Sequence, residues 1–143
     1  MSKSINQPTM VFWIISVVAL LWNIIGVYAY LSEAYMTSEV IATLTASEQM
    51  YYNNVDALVT AAYATAVFSG TLGSLLLLFR NKMAFTFFIL SLIAVLIQAT
   101  YNIFIQDFMP VASEQMIWSA IIIFIALYLV WFSKSASNKK ILS

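Results

Sequence analysis

The chain has 143 residues, 63% of them hydrophobic and 8% charged, with six basic and six acidic residues and a formal net charge of zero. Soluble domains are about half apolar and about a quarter charged, so a water-exposed fold could not cover this much apolar surface, and no basic patch exists to hold nucleic acid. Cysteine and histidine are both absent, which removes disulfides, thiolate and imidazole metal sites, haem ligation and histidine-based catalytic triads; the reading is of a non-enzyme without metal or cofactor.

Lys3 precedes the first uncharged run, Met10 to Leu31. Crossing a hydrocarbon core ~30 Å thick takes about 20 helical residues, so this run can span. Val27-Tyr28-Ala29 loosely resembles a small-residue cleavage site, but the run exceeds the apolar core of a cleaved leader, about 7 to 15 residues, and is interrupted by Trp22-Asn23. It therefore reads as a retained helix. Ser16, Asn23 and Tyr30 recur every seven residues and form one polar stripe along it.

The connection from Ser32 to Asn54 is longer than the roughly 2 to 8 residues usual in bundles, and local signals predict order within it. Met36, Val40, Ile41 and Leu44 share a helical face behind a Thr37 cap, and Thr45-Ala46-Ser47-Glu48 has the spacing of a capping box. Two roles fit: a helix resting on the bilayer or across the bundle end, and a lid over a cavity. The acids of the loops, such as Glu33 with Glu39 or Asp107 with Glu114, lack the spacing of a calcium loop and read as solvated charge.

A second span is predicted over Ala57 to Phe79. Ala62, Ala66, Gly70 and Ser74 repeat every four residues, with Ser69 and Gly73 alongside. Such a strip of small residues lets a helix approach a neighbour closely. The neighbour is either another helix of the same chain or the same helix of a second copy, which would make a homo-oligomer. The Arg80-Asn81-Lys82 turn leads to a third span, Met83 to Ile105, with Ser91, Gln98 and Asn102 on a polar stripe. The fourth span covers about Gln115 to Phe132; Pro110 suits a first helical turn and would extend it outward through Val111 to Glu114.

The basic residues Lys3, Arg80, Lys82, Lys134, Lys139 and Lys140 all fall on one side of these spans, and Glu33, Glu39, Glu48, Asp56, Asp107 and Glu114 all fall on the other. The positive-inside rule then puts both termini and the Arg80 turn in the cytoplasm. The predicted fold is an all-α membrane protein: a single domain over residues 1–143, a bundle of four transmembrane helices with both ends inside, and an ordered outer loop at 32–54.

No ionisable acid or base lies inside the spans, which excludes proton relays and voltage sensors built on buried charge. What remains is neutral. With a rise of 1.5 Å per residue, Asn23 and Gln98 both lie roughly 20 Å from the cytoplasmic end, Thr65 and Ser119 reach the same level, and Tyr63 and Tyr101 are close by. Asn23 and Gln98 either bond to each other or to neighbouring Ser and Thr and so fix helix packing, or they line a cavity with Tyr101 and Asn102. Amides and aromatic rings without Arg or Lys suit an uncharged solute, not a phosphate or carboxylate.

Leu21-Trp22-Asn23-Ile24-Ile25-Gly26-Val27, Tyr30-Leu31, Val59-Thr60-Ala61-Ala62-Tyr63, the run from Phe68 to Leu78 and Ser91-Leu92 together resemble a group of small four-helix bacterial inner-membrane proteins commonly labelled sugar transporters. The resemblance covers most of the chain and implies a multi-pass protein of the bacterial inner membrane that carries a sugar. The chain departs from that pattern at Val55-Asp56-Ala57-Leu58, where the group tends to have Pro and Trp. A non-catalytic structural or accessory subunit, docked to a partner through the outer loop, is the alternative function.

Overall fold

The computed structural model describes residues 6–143; Lys3 lies outside the described residues. Six α-helices follow one another, with no strand among the described residues: α1 (Met10–Ala34), α2 (Ser38–Ala42), α3 (Ala46–Asn54), α4 (Ala57–Leu78), α5 (Met83–Thr100), which runs into a π-helical turn at Tyr101–Ile105, and α6 (Ser113–Asn138). The segments α1, α4, α5 with its π turn, and α6 are long and apolar enough to cross a membrane. The chain is an integral membrane protein built as a four-helix bundle, as its hydropathy predicts. A helix is the only open-chain form that satisfies its own backbone polar groups in lipid.

Local chemistry sets the ends. Thr9 caps α1 by accepting the Phe12 N–H (3.3 Å), Thr37 caps α2, and Asp56 caps α4 by accepting the Leu58 N–H (2.8 Å). The predicted capping box is present: Glu48 accepts from the Thr45 N–H (2.9 Å) while the Thr45 hydroxyl accepts from the Glu48 N–H (3.4 Å). The fourth span differs from expectation at both ends. Pro110 stays in the connector and α6 starts at Ser113, because Gln106 folds the connector back: its side-chain amide donates to Met109 O (2.9 Å) and accepts from Met109 N–H (3.0 Å). At the far end α6 continues to Asn138, since Ser133 and Ala136 are buried in the bundle.

Chain neighbours pack side by side in the order α1, α4, α5, α6, with α4 the most enclosed span and α6 the least. The bundle is tight at its basic end, where Phe12, Leu77, Ala84, Phe88, Leu129, Ala136 and Leu142 form the core and Phe12 stacks on Phe132 to join α1 to α6 (5.8 Å). Leu142 belongs to this core because α6 ends in a reversal: Lys140 has φ 57°, and Ile141 N–H reaches back to Ala136 O (2.9 Å). The end of α4 uses the same device, with Arg80 at φ 58° and Asn81 N–H on Leu76 O (2.8 Å). The two reversals are tied together by Ser143 N–H to Arg80 O (2.7 Å), and the Arg80 guanidinium donates to Ile141 O (3.0 Å) and Asn6 O (2.9 Å). The buried residues of α6, Leu129, Ser133 and Ala136, all lie in its basic-end half.

Candidate functional site: two chambers meeting at Gln98

The strip of small residues on α4 is consumed inside the chain. Ala62, Ala66, Ser69, Gly70, Gly73 and Ser74 are all buried, between α1 on one side and α5 on the other. Phe88 of α5 lies so close to Gly73 that a Cβ there would stand 3.0 Å from the ring. Gly70 leaves the notch that receives the Asn23 side chain from α1. The strip thus leaves no small-residue face for a second copy, and a homo-oligomer formed through it would require the bundle to open.

Asn23 is held, not free. Its Nδ2 donates to Ser74 Oγ (3.2 Å) and to Ala19 O in its own helix (2.9 Å). Ser74 in turn donates to Gly70 O (2.9 Å). Beside the same Gly70 notch, Ser91 of α5 donates to Ala66 O (2.7 Å). Asn23 therefore takes the packing role, with Ser74 as partner in place of Gln98, while one edge of it still borders a cavity.

That cavity, of about 420 Å³, is walled by all four spans, α1, α4, α5 and α6. Its lining includes Trp22, Asn23, Ile25, Tyr63, Phe88, Ser91, Val95, Gln98, Trp118 and Leu129, and no charged side chain. A second chamber of about 250 Å³ lies at the acidic end, lined by Tyr30, Glu33, Met36, Ile41, Tyr51, Tyr52 and Thr60 among others. The loop between α1 and α4 supplies part of its wall, so α2 and α3 lie across the bundle end and cover a cavity at the same time. Tyr63 and Gln98 line both chambers and form the partition between them. Tyr30 packs edge-on against Tyr63 (5.3 Å) on the acidic side of that partition. The Gln98 amide makes no hydrogen bond to any described residue.

Of the four residues predicted to line a site, Asn23 and Gln98 come together at the larger cavity. Tyr101 and Asn102 do not line either chamber. They sit on the π turn, where the extra residue per turn shifts side chains off the α5 stripe, and Asn102 Oδ1 instead accepts the Tyr51 hydroxyl (2.8 Å). This bond fastens α3 to the end of α5. Burial first, and then the Glu33 charge, push the Tyr51 phenol up to about 12, so it remains a donor at any physiological pH. The Tyr52 phenol is raised for the same two reasons in the same order. Thr65 and Ser119 lie outside both linings, so the polar level is not a closed ring.

Trp22 and Trp118 are cavity residues that periodicity does not reveal. Trp118 has the position of an interfacial belt residue, and it lines the cavity while also being exposed. No cluster of acidic, histidine or cysteine side chains able to hold a metal occurs among the described residues. Compared with protein-family models, curated proteins and solved structures, the chain finds no significant match.

Proposed function

We propose that this membrane protein binds a small uncharged solute in the cavity bordered by Asn23 and Gln98. The observation that carries this is the Gln98 amide. At roughly 20 Å along the helix from the basic end, an amide without a protein partner is costly in a low-dielectric surrounding, and amides placed only for packing find one, as Asn23 does with Ser74 (3.2 Å). A volume of about 420 Å³ falls in the range of small-molecule sites, about 300 to 1,000 Å³. The absence of any charged lining residue selects neutral ligands. The core around Phe12, Phe88 and Leu129 closes the basic end, so binding is the activity of this conformation, and transport would need that core to part.

Thermal unfolding of the purified protein against a panel of neutral solutes, sugars included, tests the reading. A ligand that binds only the folded state raises the midpoint in proportion to its occupancy. At least one neutral solute should raise it in the wild type and not in Gln98→Leu. If none does, and a stoichiometric protein partner co-purifies instead, the chain is an accessory subunit and the solute reading fails.

A further inference from the structure

Resting on that reading of the cavity, the chemistry and shape of the site narrow its ligand. Along α5 the larger cavity runs from Phe88 to Gln98, roughly 15 Å at 1.5 Å per residue. The space is elongated along the bundle axis and walled mainly by apolar side chains, which suits a hydrocarbon chain.

Hydrogen-bonding capacity points the same way. Ser91 has already given its hydroxyl proton to Ala66 O, Asn23 has given its amide protons to Ala19 O and Ser74, and the Asn23 oxygen is packed against Gly70. The Gln98 amide and the Tyr63 hydroxyl lie together at the partition, Trp22 and Trp118 add indole N–H donors to the lining, and the deeper walls are Phe88, Val95 and Leu129. A polyol placed here would turn many of its hydroxyls toward apolar wall, and each hydroxyl left without a partner is costly. One small head and one apolar tail match the site end to end. The rim is open at membrane depth, where Ile25 and Trp118 line the cavity and are also exposed. We infer that the ligand is a single-chain amphiphile with a neutral hydrogen-bonding head, which passes from the bilayer between α1 and α6 with its head at Gln98 and Tyr63 and its tail toward Phe88.

The test uses the full chain in neutral phosphatidylcholine nanodiscs, with Trp13→Phe and Trp131→Phe so that Trp22 and Trp118 alone report. The probe is a long-chain alcohol brominated at its tail end, whose bromine quenches indole fluorescence, with glucose as the polyol arm. Quenching should saturate, Gln98→Leu should weaken the midpoint about tenfold, equal to about 1.4 kcal/mol, and the cavity-filling Ala126→Phe should abolish the saturable part while keeping the unfolding midpoint. Linear quenching that is equal in all three proteins is bilayer partitioning and overturns the inference. If glucose alone gives a saturable response, the solute site stands and the amphiphile falls. If neither probe saturates, both readings fall.

Discussion

The Asn23 side chain occupies the space that Gly70 leaves by having none: a Cβ at residue 70 would stand 2.9 Å from Asn23 Cγ and closer still to its oxygen. The α1–α4 contact therefore depends on a pair of residues 47 positions apart in the sequence. Gly70→Ala is expected to destabilise the protein by about 1 to 3 kcal/mol, the usual cost of overpacking, despite the better helix propensity of alanine. Asn23→Ala should cost about 0.6 to 2 kcal/mol through loss of the Ser74 bond. The double variant should be more stable than the sum of the two predicts, because removing the amide makes room for the methyl group. Unfolding of the four proteins in mixed micelles measures this coupling, and simple additivity would show that the notch has no energetic role.

At the basic end Arg80 joins three segments that are distant in sequence, through its bonds to Ile141 O and Asn6 O. Its φ of 58° is one that glycine adopts without strain. Arg80→Gly therefore keeps the reversal at the end of α4 but loses both side-chain bonds, whereas Arg80→Ala loses the bonds and retains the strain. Limited trypsin digestion should cut after Lys139 and Lys140 faster in Arg80→Gly than in wild type. The unfolding midpoint should fall further in Arg80→Ala, by about 1 kcal/mol beyond the glycine variant. Equal digestion rates would mean that the tail is held by Leu142 burial and the Ser143 backbone bonds without the Arg80 side chain.

The four spans, their small-residue strip and the capping box at Thr45 are legible in the sequence because each depends on spacing within one helix. Hydropathy over about 20 residues, a four-residue repeat and a Thr-x-x-Glu pattern carry their physics locally. The cavity is not legible in that way. Its walls come from α1, α4, α5 and α6 together, with α6 buried only at Leu129, Ser133 and Ala136, so it is a property of several helices and not of any one. Tyr101 and Asn102 illustrate the same limit. Asn102 continues the α5 stripe on paper with Tyr101 close by, and a π turn at Tyr101–Ile105 changes the register of both. Asn23 and Gln98 look alike as mid-span amides, and only the placement of Ser74 separates a bonded one from a free one.

Tyr51 and Asn102 fix the outer loop to the end of α5 (2.8 Å). Tyr51→Phe removes one neutral hydrogen bond, worth about 1 kcal/mol, so amide hydrogen exchange across 38–54 should accelerate about fivefold. The same bond carries a pH signature. The folded phenol is raised from 10.0 to about 12, by burial first and by Glu33 second, so its contribution is complete below about 10 and is lost as pH rises through about 12. Exchange in the loop should stay slow past the ordinary tyrosine range in wild type. In Tyr51→Phe the alkaline step should disappear, and a step that persists unchanged would assign it to another group.

Gln98 and Asn23 should respond in opposite directions to the same substitution. Asn23→Leu removes the bond to Ser74 and pushes a branched side chain toward Gly70, so stability should fall by about 1 to 3 kcal/mol. Gln98→Leu removes an amide that has no protein partner and adds apolar surface to a mostly apolar wall, so the ligand-free protein should gain about 1 kcal/mol. A residue that lowers stability in the empty protein fits the trade-off between activity and stability common at binding sites. Chemical unfolding of both variants, with bound lipid and solute removed beforehand, decides between the roles. A loss of stability in Gln98→Leu equal to that in Asn23→Leu would make Gln98 a packing residue and remove the main support for a binding site at the partition.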